Sequence, residues 1–344
     1  MNMKLTLAVV TRERAVLLRR CLDSFPSCLP EAVEALLIVN GSGPEEEALP
    51  VEAARRWPWL RILAIPRVER GAARNRAIQE ARGRFVYFLD DDTILPQDFV
   101  GKLLAALERH PQAPCLGGPN VGAPGATAFQ RAVELLLSSP LGAGPMRIRY
   151  AFVGRERPVA GWSLMLCNLG VRRDMLDAHG LRFPERCASA EENLLLWRLE
   201  QVAGRPVYCP ELWVFHERRR SVASFCRQVF LSGQGRVQIA RLAPGSLLPV
   251  TALPLAFAVY LALLPWAASL GPWLLWPARA YALACAAEAA RLAALKGDWR
   301  AALRLPWLVP LGHASYAAGM ATGLWEAAGD HPTVEAIRDL SQAR

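Results

Sequence analysis

Three consecutive carboxylates, Asp90-Asp91-Asp92, end the wholly apolar run Phe85-Val86-Tyr87-Phe88-Leu89. Adjacent like charges repel, so the cluster needs a cation or hydrogen-bond donors to share it. Mg2+ and Mn2+ take one or two carboxylates together with substrate phosphate oxygens. Side chains alternate along an extended chain, which predicts Asp90 and Asp92 on one side as the cation-binding pair and Asp91 on the other. A solvated acidic turn or a helix cap before Pro96 is the ordinary reading of an isolated Asp-x-Asp; the apolar strand feeding this one argues for a crevice. Upstream, Gly71-Ala72-Ala73-Arg74-Asn75-Arg76-Ala77 opens a helix after Pro66. Helix N-termini attract anions and arginine adds bidentate contacts, so this segment suits a phosphate or nucleobase, with a solvated basic helix face as the alternative.

The elements that must position these groups follow from periodicity. Short β-rich runs at Leu5-Val10, Ala35-Val39, Arg61-Ile65 and Arg84-Leu89 alternate with helical stretches near Glu13-Ser24, Glu45-Arg55 and Ala72-Ala81. That alternation predicts a parallel sheet with helices on its faces. Ligands of such sheets collect beyond the carboxyl ends of the strands, so Thr11, Asn40, Pro66 and the aspartate run should face one site. The Gly- and Pro-rich stretch Gly117 to Tyr150, with one helix at Thr127-Leu137, reads as an irregular cover over the crevice. Further strands are expected at Ser163-Gly170, Pro206-Cys209 and Leu212-Phe215, and a helix at Ala190-Val202.

Composition sets bounds on the partners. Lys+Arg 40 against Asp+Glu 31 gives a net charge of +9, nearly all of the basic residues being arginine. Arginine suits phosphate groups. A diphosphate donor and an anionic membrane surface fit this charge and the apolar tail, and nucleic acid is not expected as a partner. The 8 cysteines include no Cys-x-x-Cys pair, which argues against a zinc ribbon, a thioredoxin-type site or a disulfide framework and for a reducing compartment. The first residues run directly into a strand-like segment without the apolar length of a signal peptide, so the domain is expected to stay in the cytoplasm.

The order of these motifs resembles glycosyltransferase family 2, whose members share the GT-A fold. The resemblance spans about Lys4 to Arg241 and rests on Val9-Val10-Thr11-Arg12, Cys21-Leu22-Asp23-Ser24-Phe25, Arg74-Asn75, Asp90-Asp91-Asp92, and Glu191-Glu192-Asn193-Leu194 with Arg198. It implies Thr11 and Glu13 near the nucleotide, Arg74 and Asn75 at the donor, Asp90 near the ribose or the metal, and Asp92 holding a Mn2+ or Mg2+ that bridges the diphosphate. Glu191-Glu192 resembles the family's Glu-Asp pair, whose second member acts as general base, which implies Glu192 in that role. His216, after Trp213-Val214-Phe215, stands where relatives carry a histidine on the metal or diphosphate. Two departures are evident. Asn40-Gly41-Ser42 follows the second strand where many relatives have a base-reading aspartate. Gln234-Gly235-Arg236 lacks the tryptophan of the processive synthases' Gln-x-x-Arg-Trp, which favours single-sugar transfer.

Beyond Ser221 the chain turns apolar. Ser221 to Ala240 has the spacing of a basic amphipathic helix, suited to the membrane interface or to packing on the catalytic domain. Ser246-Leu270, Pro272-Leu295 and Leu303-Trp325 read as about three crossings of about 30 Å of hydrocarbon, the second, interrupted by Pro277, Arg279 and Glu288, being alternatively a re-entrant or interfacial hairpin, and the flanking arginines place the catalytic domain on the cytoplasmic side. The expected organisation is a GT-A α/β domain over 1–217, an interfacial segment over 218–245, membrane helices over 246–326 and a polar tail over 327–344. The expected activity is inverting, non-processive transfer of one sugar from a nucleotide-sugar to a membrane-associated acceptor such as a polyprenyl-linked glycan, at the bacterial inner membrane. Direct transfer to polyprenyl phosphate and an inactive membrane scaffold are the alternatives.

Overall fold

The computed structural model describes residues 3–41, 52–185, 191–246 and 248–328. These form two compact units. The first comprises Met1–Ala123, Ala151–Cys187 and Glu191–Glu217; the second comprises Pro124–Tyr150, Ala188–Ala190 and Arg218–Arg344.

The first unit carries an eight-stranded sheet. The strands of the unit, in chain order, are β1 (Leu5–Thr11), β2 (Val33–Asn40), β3 (Leu60–Ile65), β4 (Phe85–Asp90), β5 (Thr93–Ile94), β6 (Cys115–Gly117), β7 (Asn120–Gly122), β8 (Arg157–Pro158), β9 (Asn168–Arg172), β10 (Val207–Tyr208) and β11 (Val214–His216). The order across the sheet is β3-β2-β1-β4-β9-β6-β10-β8, and β5, β11 and β7 form a separate three-stranded sheet. β1 to β4 run parallel, which brings the ends of β1, β2 and β4 to one edge: Val10 pairs with Asp90 and Thr11 with Val39. The expected four-strand core is therefore present; β1, β2 and β3 extend one or two residues beyond the expected ends and β4 is shifted one residue along the chain. β9 then enters antiparallel beside β4, pairing Leu89 with Asn168.

Apolar periodicity explains the covering helices. In Ala15–Asp23 the residues Leu18, Cys21 and Leu22 are buried, and in Phe99–Arg109 so are Phe99, Leu103 and Ala106. All six join the sheet's Leu7, Val9, Leu37, Tyr87 and Leu89 in one core. The expected helix at Glu45-Arg55 lies mostly outside the described residues; 52–56 are helical.

Of the Gly- and Pro-rich stretch from Gly117 to Tyr150, the part up to Ala123 lies in the first unit and Pro124–Tyr150 in the second. Its helix Ala128–Ser138 is opened by a capping box between Thr127 and Gln130 and buries Ala132, Val133, Leu135 and Leu136. These residues pack with Phe225, Cys285, Ala289, Leu305 and Leu308. An apolar helical face joins whichever core buries it, and sequence proximity to the sheet does not decide which.

Among the described residues, Pro249–Trp266 alone is long and apolar enough to cross a membrane, and none of it is buried. Helix Trp276–Lys296 carries Arg279, Glu288, Arg291 and Lys296 and buries Cys285, Ala289 and Leu292 within the unit. Helix Leu305–Ala328 packs along helix Val222–Leu242, where a Cβ on Gly319 would lie 1.9 Å from the Phe230 carbonyl oxygen and one on Gly233 would lie 2.2 Å from that of Tyr316. Small residues at the contact let the two backbones approach, so the apolar side of the expected interfacial helix faces a protein neighbour.

Candidate active site at the end of the fourth strand

Each acid of the aspartate run has its own surroundings. Asp91 is buried; Thr11 Oγ1 donates to its Oδ2 at 2.8 Å and Arg14 Nη1 to its Oδ1 at 2.6 Å. Burial is the largest influence on Asp91 and, with Asp92 alongside, outweighs Arg14 and Thr11, so its pKa is pushed up to about 6. Asp92 is also buried and accepts from Arg14 Nη2 at 2.7 Å through Oδ2. Burial pushes Asp92 upward too, but the charges of His216 and Arg14 prevail and hold it below the ordinary carboxylate range. Asp90 keeps 36% of its side chain exposed. Asp90 and Asp92 both approach His216 Nε2, at 3.8 and 3.1 Å, while Asp91 turns to Thr11 and shares Arg14 with Asp92.

His216 is carried to this place by the small sheet. β11 lies between β5 and β7, so His216 pairs with Thr93, the residue after Asp92, and with Gly122. The Glu217 amide donating to the Asp92 carbonyl at 3.3 Å closes the arrangement.

Arg14 was not singled out in the sequence, and the chain makes a special turn to deliver it. Glu13, with φ of +55°, is the one non-glycine residue at positive φ among the described residues. Such a conformation costs on the order of 1 kcal/mol or more and persists where the surroundings enforce it. Its side chain is exposed, 3.9 Å from Arg67.

Two residues expected at the donor have other work. Asn40 uses both ends of its amide on Val68, donating to the carbonyl at 3.0 Å and accepting from the amide at 2.9 Å. Asn75 does the same with Phe183, at 2.9 Å in both directions. Both side chains are buried. A doubly committed amide clamps a loop, so Asn40 and Asn75 fix the segments after β3 and after Gly180. Thr11 likewise spends its hydroxyl on Asp91.

Arg74 links the two halves of the site. Helix Arg70–Glu80 begins against the 183–185 loop, where a Cβ on Gly71 would fall 2.1 Å from the Pro184 carbonyl oxygen. One turn on, Arg74 donates to the Glu191 carboxylate and lies 3.8 Å from Asp90 Oδ1. Glu191 and Glu192 start helix Glu191–Ala203 and are both buried. Arg198, on the same helix, is partly buried, which lowers its pKa.

Two features bear on whether a divalent cation fits. Asp92 Oδ1 is buried and meets no donor in full hydrogen-bond geometry; its neighbour is the His216 imidazole, Nε2 at 3.1 Å, so an imidazole and a carboxylate oxygen face each other there. The ligand atoms of Asp90, Cys167 and His216 lie within 4.8 Å of one another. Cys167 was missed in the sequence. Extending the β4–β9 register by one residue past Leu89 and Asn168 sets it opposite Asp90, and a register between strands 80 residues apart leaves no local mark.

Residues 6–176 match the family described as Glycosyl transferase family 2. The chain is 28% identical over 217 residues to the succinoglycan biosynthesis protein ExoM of Rhizobium meliloti, covering 60% of this chain and 65% of that protein. It is 24% identical to the putative glycosyltransferase EpsH of Bacillus subtilis over 53% of this chain and 50% of the relative. The chain thus spans between half and two thirds of the length of these relatives. Among solved structures it resembles the mannosyltransferase PcManGT from Pyrobaculum calidifontis in complex with GDP-Man and Mn2+, with a TM-score of 0.58 and 21% identity over 95% of this chain and 88% of that one. Residues 6–176, just under half of the chain, thus match a glycosyltransferase family 2 domain, and the α/β unit has the GT-A fold.

Proposed function

We propose that the protein is a metal-dependent, inverting glycosyltransferase that moves one sugar from a nucleoside-diphosphate sugar to a membrane-associated acceptor, such as a polyprenyl-linked glycan in surface polysaccharide synthesis. The observation that carries this reading is the buried Asp92 carboxylate, its Oδ1 3.1 Å from His216 Nε2 at the end of β4, with the partly exposed Asp90 3.8 Å from the same imidazole nitrogen. The PcManGT complex with GDP-Man and Mn2+ and the polysaccharide role in ExoM's name support it.

Asp90, Asp92 and His216 would hold the Mn2+ or Mg2+. When bound, such an ion supplies positive charge to the diphosphate as it leaves. Arg14 holds one oxygen of Asp92, so the carboxylate presents the other toward His216 in one orientation. Glu13 and Arg67 stand exposed at the rim, within reach of the nucleotide. Arg74, fastened to Glu191, fixes the start of the acceptor-side helix relative to Asp90. Glu191 is engaged by Arg74, and Glu192, by its place as second member of the acidic pair, would take the acceptor hydroxyl proton as the oxygen attacks the anomeric carbon. A single displacement inverts that carbon. The outward-facing apolar helix Leu253–Leu270, with Trp266 and Trp273 exposed nearby, favours an acceptor held at a membrane, with the catalytic unit on the cytoplasmic side.

Purified protein with Mn2+ and a panel of nucleotide sugars tests this. Wild type should hydrolyse one donor slowly, Asp92→Ala should lose metal-dependent donor binding, and Glu192→Gln should bind donor but not turn it over. Absence of metal-dependent donor binding by wild type across the panel would sink the reading.

A further inference from the structure

We propose that Asp90, Cys167 and His216 form a second donor set in the same cleft, one that takes a transition metal such as Zn2+ through a thiolate and so excludes the hard cation used for transfer. The proposal rests on the reading of Asp90 and His216 as cation ligands.

The three ligand atoms lie within 4.8 Å of one another. A tetrahedral zinc ion with bonds of about 2.0–2.3 Å sets its donors roughly 3.3–3.8 Å apart, so side-chain rotations on the order of 1 Å close the set. Carboxylate, thiolate and imidazole are all zinc ligands, whereas Mg2+ and Mn2+ prefer oxygen and leave the sulfur unused.

The thiol is firmly placed. Cys167 is 1% exposed, and Thr93 Oγ1 approaches its carbonyl at 3.4 Å. The next residue, Asn168, is fully buried and anchored: its Oδ1 accepts from Tyr87 Oη at 2.7 Å and its Nδ2 donates to the Leu212 carbonyl at 2.6 Å. A second grouping with similar spacing, His110, Glu156 and Cys209, lacks this suitability because Arg109 already donates to Glu156 at 2.8 Å. At Asp90 the nearest guanidinium stays 3.8 Å away and is directed to Glu191.

On binding, a sulfur–metal bond forms and the thiol proton passes to solvent; no redox change is involved. For nitrogen, oxygen and sulfur donors zinc binds more tightly than manganese. Since Asp90 and His216 belong to both sets, the two ions compete, and zinc occupancy blocks transfer.

The test uses the full chain in detergent, stripped of metal, with Co2+ as the spectroscopic stand-in for Zn2+. Wild type should show a near-ultraviolet sulfur-to-cobalt charge-transfer band that Zn2+ removes, and Zn2+ should release bound Mn2+, seen as free ion by electron paramagnetic resonance. In Cys167→Ser and Cys167→Ala the band should vanish and Zn2+ affinity fall by about tenfold or more, with Mn2+ affinity held within about twofold. Comparison with these variants also removes any contribution from the exposed Cys28. Co2+ binding by wild type without the band, equal losses of Zn2+ and Mn2+ affinity in both variants, or simultaneous binding of the two ions would overturn the proposal. Wild type that binds no Mn2+ at all would instead count against the proposed transferase function.

Discussion

Arg14 Nη2 lies 2.7 Å from Asp92 Oδ2, and the other oxygen of that carboxylate lies 3.1 Å from His216 Nε2. The carboxylate is held from one side and presented on the other. Replacing Arg14 with methionine leaves Asp91 and Asp92 buried side by side without their shared cation. Breaking a buried pair is costly, and since Arg14 is 37% exposed the loss should be discounted to about 2 kcal/mol. Arg14→Met should lower the thermal midpoint of the metal-free protein and weaken Mn2+ binding, and Mn2+ should restore part of the lost stability. Unchanged Mn2+ affinity would remove Arg14 from the positioning role.

Asp91 gives the metal-free protein a pH signature. Its pKa rises to about 6 in the folded chain against an ordinary 3.8, chiefly through burial. Between those values the native state holds a proton that the unfolded state has released. The contribution is thus fully present below the lower value and is lost as pH rises through about 6, in total on the order of 2–3 kcal/mol. Urea unfolding from pH 4 to 7 should show wild type losing more stability than Asp91→Asn over that window. Parallel curves would show that Asp91 titrates normally.

Asn75 predicts a separation of stability from chemistry. Its amide exchanges two hydrogen bonds with the Phe183 backbone, and truncation to alanine leaves that amide and carbonyl unmet in a buried place. Each orphaned group costs about 1–3 kcal/mol. Asn75→Ala should be destabilised by roughly that amount or twice it and show a raised donor KM through the displaced Arg74. A variant of wild-type stability with a large donor-binding defect would return Asn75 to direct ligand contact.

Gly319 tests the helix pair of the second unit. A Cβ there would lie 1.9 Å from the Phe230 carbonyl oxygen, on backbone that cannot swing aside. Gly319→Val should force helices Val222–Leu242 and Leu305–Ala328 apart at a cost of about 1–3 kcal/mol or more, read as early unfolding and faster proteolysis. Gly297→Ala, at a left-handed helix end with open space around it, should cost less, about 1 kcal/mol. Equal effects of the two would argue against close packing at Gly319.

Much of the active unit was legible because its signals are local. An apolar run ending in acids marks a buried strand with a polar tip, and alternation with helices marks a parallel sheet; both survived with small shifts at the ends. Asn40 and Asn75 show the limit. An amide near a strand or helix end looks the same whether it meets a ligand or a neighbouring loop, and the difference lies in Val68 and Phe183. The apolar C-terminal stretches show it too: lipid and a second helix demand the same composition, so the packing of Leu305–Ala328 against Val222–Leu242 could not be read from hydropathy.

The sequence by itself determined the four parallel strands β1 to β4, the aspartates at the tip of β4 and the acidic start of helix Glu191–Ala203, because backbone periodicity and charge placement act over a few residues. Only the tertiary structure decided which donors surround those aspartates. The antiparallel entry of β9 brings Cys167 opposite Asp90, the small sheet sets His216 against Asp92, and the turn at Glu13 delivers Arg14. Those are relations between distant segments, fixed by strand register and burial, and register is a property of the assembled sheet.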